Sequence, residues 1–194
     1  MEKTVYFRAF EESDVDLIYQ WMNDDQLKEL SVGLNRRLSR EESLNWVNTR
    51  KNHNDYSYYW AICSKADNKM IGYVFITNIH YINRSASLGG IMIGDPNYHN
   101  GIAWIESYQF VLEFVFERLN LHRLSDTCIV EHLQSNKIDE AMFFRKEGVL
   151  RDAAFKNGRY YDLTEMSILN NEYFEHMNNG DYELKNIIRR FGKK

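Results

Sequence analysis

The sequence predicts a single α/β (α+β) domain, in which a mixed β-sheet of about seven strands is flanked by helices. The chain has 194 residues, which suits one domain that buries a core without disulfides or structural metals. Apolar residues make up 44% and charged residues 27%, a balance typical of a globular protein. Strand-like and helical periods follow one another in the order β α α β β β α β α β β.

The first half of the chain is predicted to form one strand, two helices and three further strands. Residues 5–10 alternate like a short strand. Ser13 with Asp16 resembles a capping box that opens a helix, and Ser39 with Glu42 repeats this signal before a second helix. Antiparallel strands, rich in β-branched and aromatic residues, are predicted at residues 58–63, 70–79 and 86–94.

The second half is predicted to add a buried helix, a strand, another helix and a hairpin. The first of these helices is apolar almost all the way round, as expected of a helix packed on a sheet. The last two strands flank a Lys-Asn-Gly turn, which indicates a hairpin. In chain order, these elements are predicted at residues 101–119, 123–130, 136–147, 148–155 and 159–169.

The end of the chain is predicted to be a basic amphipathic helix or tail. Residues 1–175 form the predicted domain and residues 176–194 this appendage, where four apolar residues have helical spacing among lysines and arginines. A helix docked on the domain is one interpretation; a helix that binds a partner or forms a dimer is the other. The apolar residues are Leu184, Ile187, Ile188 and Phe191.

Composition and charge exclude several classes of protein. The net charge of −4 argues against nucleic-acid binding, and no apolar stretch approaches the length needed to cross a membrane. The chain starts without an apolar signal core, and Cys63 and Cys128 lie in apolar runs, so we expect a reduced, cytoplasmic protein. The spacing of His and Cys residues predicts no metal site.

Residues 89–106 carry the strongest chemical signal. A strand and a turn lead to Gly101-Ile102-Ala103 at the predicted start of a long helix. Small residues there allow a ligand to approach the backbone, and the unpaired N–H groups favour an anion such as a pyrophosphate. Plain packing of the helix on the sheet is the alternative explanation for the same small residues.

Five segments, in order, resemble the GNAT superfamily of acyl-CoA-dependent N-acyltransferases. The likeness extends from residue 5 to about residue 174 and is strongest to the branch with ribosomal-protein, spermidine and amino-sugar-nucleotide acetyltransferases. The resemblance implies a sheet splayed in its middle, acetyl-CoA as cofactor, and transfer to a small-molecule or peptide amine by a monomer or homodimer. Its segments are IGYVFITNIHYINRSASLGGIMIGDP, NYHNGIAWIE, LNLHRL, FFRKEGV and GVLRDAAFKNGRYYDLTEMSIL.

The resemblance also assigns residues to the cofactor and the acceptor. The pantetheine arm is expected on the strand backbone, the pyrophosphate on the amides of the following loop and helix start, and the thiol end near an Asn and an aromatic ring. The acceptor is expected between the first helices and the final hairpin. The cofactor residues are Ile91, Met92, Ile93, His99, Asn100, Gly101, Ile102, Ala103, Asn136 and Phe144, and the acceptor residues are Trp21, Leu34, Tyr160 and Tyr161.

Two departures from the family pattern affect the proton-transfer groups. Phe144 stands where many relatives have a Tyr that protonates the departing thiolate, and a phenyl ring has no proton to donate. Ser87 stands where relatives often have a Glu that deprotonates the amine. His80 and Glu131 are candidate substitutes for that base, beside Ser87 itself.

These observations predict an acetyl-CoA-dependent N-acetyltransferase that acts by direct attack in a ternary complex. Because Phe144 and Ser87 lack the family's proton-transfer groups, a non-catalytic acyl-CoA-binding regulator or sensor is the alternative. An adaptor that binds through its C-terminal helix is a third hypothesis.

Overall fold

The computed structural model describes residues 2–29, 31–32, 36–52 and 55–192. Within them, seven strands form one mixed sheet in the order β1-β2-β3-β4-β5-β7-β6, which confirms the predicted fold class. The strands are β1 Val5–Arg8, β2 Tyr58–Ser64, β3 Met70–His80, β4 Ser85–Ile93, β5 Arg123–Ile129, β6 Arg145–Lys156 and β7 Arg159–Leu169.

Helices cover both faces of this sheet. On β2, Trp60 and Ile62 are buried in the core that includes helix α4, whereas Ala61 and Cys63 are buried in a second core with α1 and α3. Alternate residues of a strand point to opposite faces, so both faces of β2 are covered. The helices are α1 Val15–Met22, α2 Asp25–Lys28, α3 Arg40–Arg50, α4 Ile102–Glu113, α5 Leu133–Ala141, α6 Asn170–Asn178 and α7 Leu184–Phe191, and α4 continues as a π-helical turn, Phe114–Arg118. No helix of the described residues is long and apolar enough to cross a membrane.

The sheet opens between β4 and β5, its one parallel strand pair in the described residues. The two strands pair only from Ser85 opposite Arg123 to Ser87 opposite Ser125. Immediately afterwards the register between β3 and β4 shifts at Gly89, because Phe75 pairs with Gly90 and Ile76 with Leu88. Such a bulge bends its strand and increases the twist, so β4 turns away from β5.

One predicted helix start is wrong and the other is confirmed. Ser13 and Asp16 do not cap α1; Asp14 instead accepts a bond from the Glu11 amide (2.8 Å) and pairs with Arg8 of β1 (2.7 Å). The spacing of residues in the sequence could not show that Asp14 forms an ion pair with Arg8 of the neighbouring strand. The second start is as predicted, with Ser39 and Glu42 forming a capping box on α3.

The helix predicted at residues 136–147 is displaced. It forms as α5 and begins earlier, where the His132 ring accepts a hydrogen bond from the Ser135 amide (3.3 Å). It ends before Phe143, whose φ of 69° lies in the left-handed region. Strand β6 then begins at Arg145, three residues before its predicted start, because it pairs with β7 there.

The C-terminal segment contains two helices in place of one. Helix α6 was not predicted and begins before residue 176, directly after β7. Helix α7 has the predicted apolar stripe, and its Ile187 is fully buried against the domain. Arg190 of α7 donates to the carbonyl oxygen of Ala141 (3.0 Å), which joins α7 to the end of α5.

We expect Gly72→Ala to destabilise the sheet beside the opening. A Cβ on Gly72 would lie 2.1 Å from the carbonyl oxygen of Met92, so β3 and β4 must move apart. Gly148→Ala is the matched control, because its Cβ meets nothing within 4 Å. Urea denaturation should show that Gly72→Ala lowers the free energy of unfolding by about 2 kcal/mol or more. Equal effects of the two substitutions would contradict the close approach of β3 and β4 at Gly72.

Candidate active site

The separation of β4 and β5 opens a cleft of about 410 Å³. Strand β4 forms one wall, β5 and α5 the other, and α4 lies across one end. The segment from α1 through α2 closes the opposite end. The residues that line the cleft include Met22, Leu27, Lys28, Tyr73, Phe75, Ile91, Met92, Ile93, Trp104, Tyr108, Asp126, Cys128, His132 and Ser135.

The start of α4 is suited to an anion. Gly101 caps the helix with a φ of 84°, and a Cβ built there would meet nothing within 4 Å, so the space above it is open. Asn100 Oδ1 accepts the Ile102 amide (3.0 Å). The next amides, of Ala103 and Trp104, have no partner within the helix, as at any helix start, and they carry the positive end of its dipole. The site therefore has the donors and the room for a pyrophosphate.

The residues predicted to contact the cofactor fall along one path. Ile91, Met92 and Ile93 line the cleft. The loop at His99 follows them, and the His99 ring contacts the carbonyl oxygen of Ile93 (2.9 Å). This path leads into the first turn of α4, where Trp104 lines the cleft, and Tyr108 lines it one turn later.

Asn136 and Phe144 do not line this cleft. The Asn136 amide donates to three carbonyl oxygens of the turn before α5, including those of Ile129 (3.1 Å) and His132 (2.9 Å). Phe144 is buried, and its ring packs edge-on against Tyr108 at 6.1 Å. Asn136 therefore holds the turn and Phe144 supports Tyr108.

The three candidate bases also lie away from the cleft lining. His80 is exposed at the end of β3, and its Nδ1 accepts the Asn83 amide (3.0 Å). Glu131 is exposed in the turn after β5. The Ser87 hydroxyl contacts the Ser125 hydroxyl (3.3 Å) at the last paired position of β4 and β5.

The predicted acceptor residues are not brought together. Trp21 is buried, and its indole ring lies where a Cβ of Gly94 would be, 2.2 Å away. Tyr160 is exposed and packs on Phe155, while Tyr161 is buried under the Arg159 guanidinium group (4.1 Å). Leu34 lies outside the described residues.

A buried lysine joins the end of β6 to the end of α2 and the segment that follows it. Lys156, at the end of β6, donates to the carbonyl oxygens of Lys28, Glu29 (2.9 Å) and Ser31 (2.8 Å). Burial lowers the pKa of its ammonium group. The three carbonyl groups supply the hydrogen bonds that burial otherwise removes, so Lys156 holds one wall of the cleft in position.

A buried polar network lies at the centre of the cleft. The Tyr108 hydroxyl donates to Asp139 Oδ1 (2.7 Å), and the carboxyl groups of Asp139 and Asp126 are near enough to influence each other's pKa. Desolvation raises the pKa of Asp126 to about 6 and that of Asp139 well above its ordinary value. Within the described chain, no group of three His, Cys, Asp or Glu side chains is arranged for a metal ion.

Sequence reasoning missed this network, although a signal was present. Asp126 alternates with the buried Leu124 and Cys128 along β5, and Asp139 lies on the buried face of a helix. A carboxyl group in a predicted core position needs a partner, and that need marks a candidate site.

The family model for the acetyltransferase (GNAT) domain matches residues 4–145. The chain belongs to the GNAT acetyltransferases, which are enzymes that use acetyl-CoA. Acetyl-CoA carries a pyrophosphate, and the start of α4 has the donors and the room for such an anion.

Relatives of known sequence and structure cover nearly the whole chain. Spermidine N(1)-acetyltransferase of Vibrio cholerae is 27% identical over 173 residues, which is 89% of this chain and 97% of the relative. Uncharacterized N-acetyltransferase YnaD of Bacillus subtilis is 25% identical over 172 residues, covering 88% and 96%. The crystal structure of the Vibrio cholerae spermidine enzyme with CoA and spermine superposes with a TM-score of 0.79, at 26% identity and with 88% and 98% coverage.

We expect Asp126→Asn to change how stability depends on pH. The pKa of Asp126 is about 6 in the folded protein and near 3.8 when unfolded, so the folded state holds this proton more tightly. The stability from this group is fully present below pH 4 and is lost as the pH rises through 6. The free energy of unfolding can be measured in urea at pH 4, 5.5 and 7.5. From the lowest to the highest pH it should fall by about 1–3 kcal/mol more for the wild-type protein than for the variant. If the free energies of unfolding of the two proteins change equally with pH, the assigned environment of Asp126 is wrong.

Proposed function

We propose that this chain transfers the acetyl group of acetyl-CoA to the primary amine of a small molecule, with both substrates bound in one complex. The observation that carries the proposal is the continuity of the cleft. It runs from Trp104, in the first turn of α4, to the apolar side chains of Met22 and Leu27 at α1 and α2.

The cofactor supplies an acyl group already activated as a thioester. The α4 amides from Ala103 onward bind its pyrophosphate, together with the backbone of the preceding loop. The amide groups within residues 91–93 that point away from β3 hold the pantetheine arm at the separated edge of β4, where β5 no longer pairs with them.

Direct attack is supported by the state of the nucleophile nearest the cleft. Cys128 lines the cleft, but burial and the nearby carboxyl groups raise the pKa of its thiol to about 12. A thiol of this pKa stays protonated at neutral pH and is a poor nucleophile. The acyl group therefore passes straight to the amine, without an acyl-enzyme.

The acceptor end favours an amine on a partly apolar body. Met22, Leu27, Tyr73 and Phe75 line this end of the cleft, and Lys28 adds a positive charge. Repulsion from Lys28 disfavours long polycations, which separates this pocket from the activity named for the spermidine enzymes. We propose a monoamine with an aromatic or aliphatic body; a peptide amino terminus is the second class.

An acceptor panel tests the function. Purified protein is incubated with acetyl-CoA and each of phenethylamine, hexylamine, a short neutral peptide and spermidine, and thiol release is measured. The apolar monoamines should give kcat/KM values at least tenfold above that for spermidine, because they fit the apolar end and avoid Lys28. Faster reaction with spermidine would overturn the acceptor class. CoA binding without turnover of any amine would favour the regulatory alternative.

A charge placed at the helix start tests the cofactor site. Ile102 is half-buried in the first turn of α4. We expect Ile102→Glu to weaken CoA binding at least tenfold, because its carboxylate repels the pyrophosphate and competes for the same amides. Ile102→Gln has the same size without the charge and should bind much more tightly than Ile102→Glu. Calorimetric titration with CoA measures both, and equal affinities would contradict this site.

A further inference from the structure

We propose that Asp126 is the catalytic base that takes the proton from the acceptor amine, and that Asp139 and Tyr108 position it. This inference rests on the proposed function, since it assigns a role within the same cleft. It also supplies the proton acceptor that Ser87, His80 and Glu131 do not provide from their positions.

Asp126 lies where the two strands have just separated. Leu124, Asp126 and Cys128 alternate along β5, and buried Leu124 places this face toward α4 and α5. Ser125 is the last residue of β5 that pairs with β4. Asp126 is the next residue, and it lines the open cleft. A base at this point lies beside the strand edge proposed to hold the reacting end of the cofactor.

The network decides which carboxyl group carries the proton. Asp139 is fully buried, and no donor among the described residues reaches its Oδ2. Its other oxygen accepts from Tyr108, and Asp126 is the remaining polar neighbour. Two carboxyl groups hydrogen-bond to each other only when one is protonated, and the more buried group holds its proton more strongly. Asp139 is therefore the acid, and Asp126 is the carboxylate facing the cleft.

The other titratable groups around the cleft do not compete for this role. Among the described residues that line it, Asp126 is the only carboxylate. Burial raises the pKa of both Cys128 and Tyr73, so both stay protonated at neutral pH. His132 Nδ1 accepts the Ser135 amide (3.3 Å), so the neutral ring carries its proton on Nε2 and has no free lone pair for the amine. Two charged groups remain nearby, Lys28 across the cleft and exposed Glu140 on the far side of Asp139.

The proton transfer balances with one carboxylate. As the acceptor nitrogen bonds to the acyl carbon, the carbon–sulfur bond breaks and its electron pair stays on sulfur. Asp126 takes one proton from the nitrogen and returns it to the departing sulfur, so the amide and the free thiol leave with Asp126 again ionised. Asp139 keeps its own proton throughout, because burial and the neighbouring Asp126 raise the pKa of its carboxyl group.

Activity measurements test the role of Asp126. We expect Asp126→Asn to lower kcat by about 10²–10⁴-fold while its calorimetric affinity for CoA stays within twofold of wild type, because proton transfer is lost and the cleft shape is kept. Asp126→Glu should recover part of the loss. Asp67→Asn, on an exposed turn, removes the same charge elsewhere and should keep full activity.

The pH dependence tests the two positioning residues. Wild-type kcat/KM should rise through an inflection near the pKa of Asp126, about 6. Asp139→Asn replaces the acid with a weaker amide donor, so the inflection should move to higher pH while activity above it is kept. Carboxyl ¹³C NMR of the free protein should show one titrating aspartate near this pH that is absent from Asp126→Asn. A purely structural role for Asp139 would leave the inflection in place.

These readouts separate this inference from the proposed function. If wild-type protein acetylates amines and Asp126→Asn does so within threefold and with an unchanged pH profile, Asp126 is not the base and the function stands. If no amine reacts although CoA binds, the proposed function fails, while NMR still reports the ionisation of Asp126. If the carboxyl group of Asp126 titrates near its ordinary pKa of 3.8, the inference is overturned in either case.

Discussion

The short pairing between β4 and β5 is the constraint on which the rest of the structure depends. The strands share only the positions from Ser85 to Ser87, and the bulge at Gly89 then bends β4 away. Glycine is needed there, since a Cβ would lie 2.2 Å from the Phe75 ring. A side chain at this position would straighten the strand or displace Phe75, and the cleft would lose its shape. Backbone groups left unpaired by the bend are the groups available to a ligand.

The same opening explains why costly polar groups are buried nearby. A continuous sheet would cover Asp126 with a neighbouring strand, and an unpaired carboxylate there would destabilise the fold. In the open sheet Asp126 faces the cleft and is supported from behind by Asp139 and Tyr108. Lys156 shows the same compensation at the other end, with three carbonyl groups around its ammonium group. At both places the buried polar group shapes the cleft or holds its wall.

The proposed cofactor residues lie on a strand, a turn and a helix start, which local sequence pattern can predict. In the proposed function, residues 91–93 and 99–103 act through backbone groups. The roles expected of Phe144 and Asn136 depend on side-chain direction. The Phe144 ring packs against Tyr108, and the Asn136 amide bonds the turn before α5. Tyr108 on α4 lines the cleft, although local pattern describes this helix only as buried.

The sequence by itself determined the order of the seven strands along the chain, the capping of α3, the final hairpin and the family resemblance. Each of these follows from periodicity or from residues close together in the chain. Only the tertiary structure decided that Asp14 pairs with Arg8, that α5 ends before Phe143, and that Asp126, Asp139 and Tyr108 meet. These contacts join separate elements, and their geometry is set by the bend of β4 and the packing of α4 and α5, which no local pattern encodes.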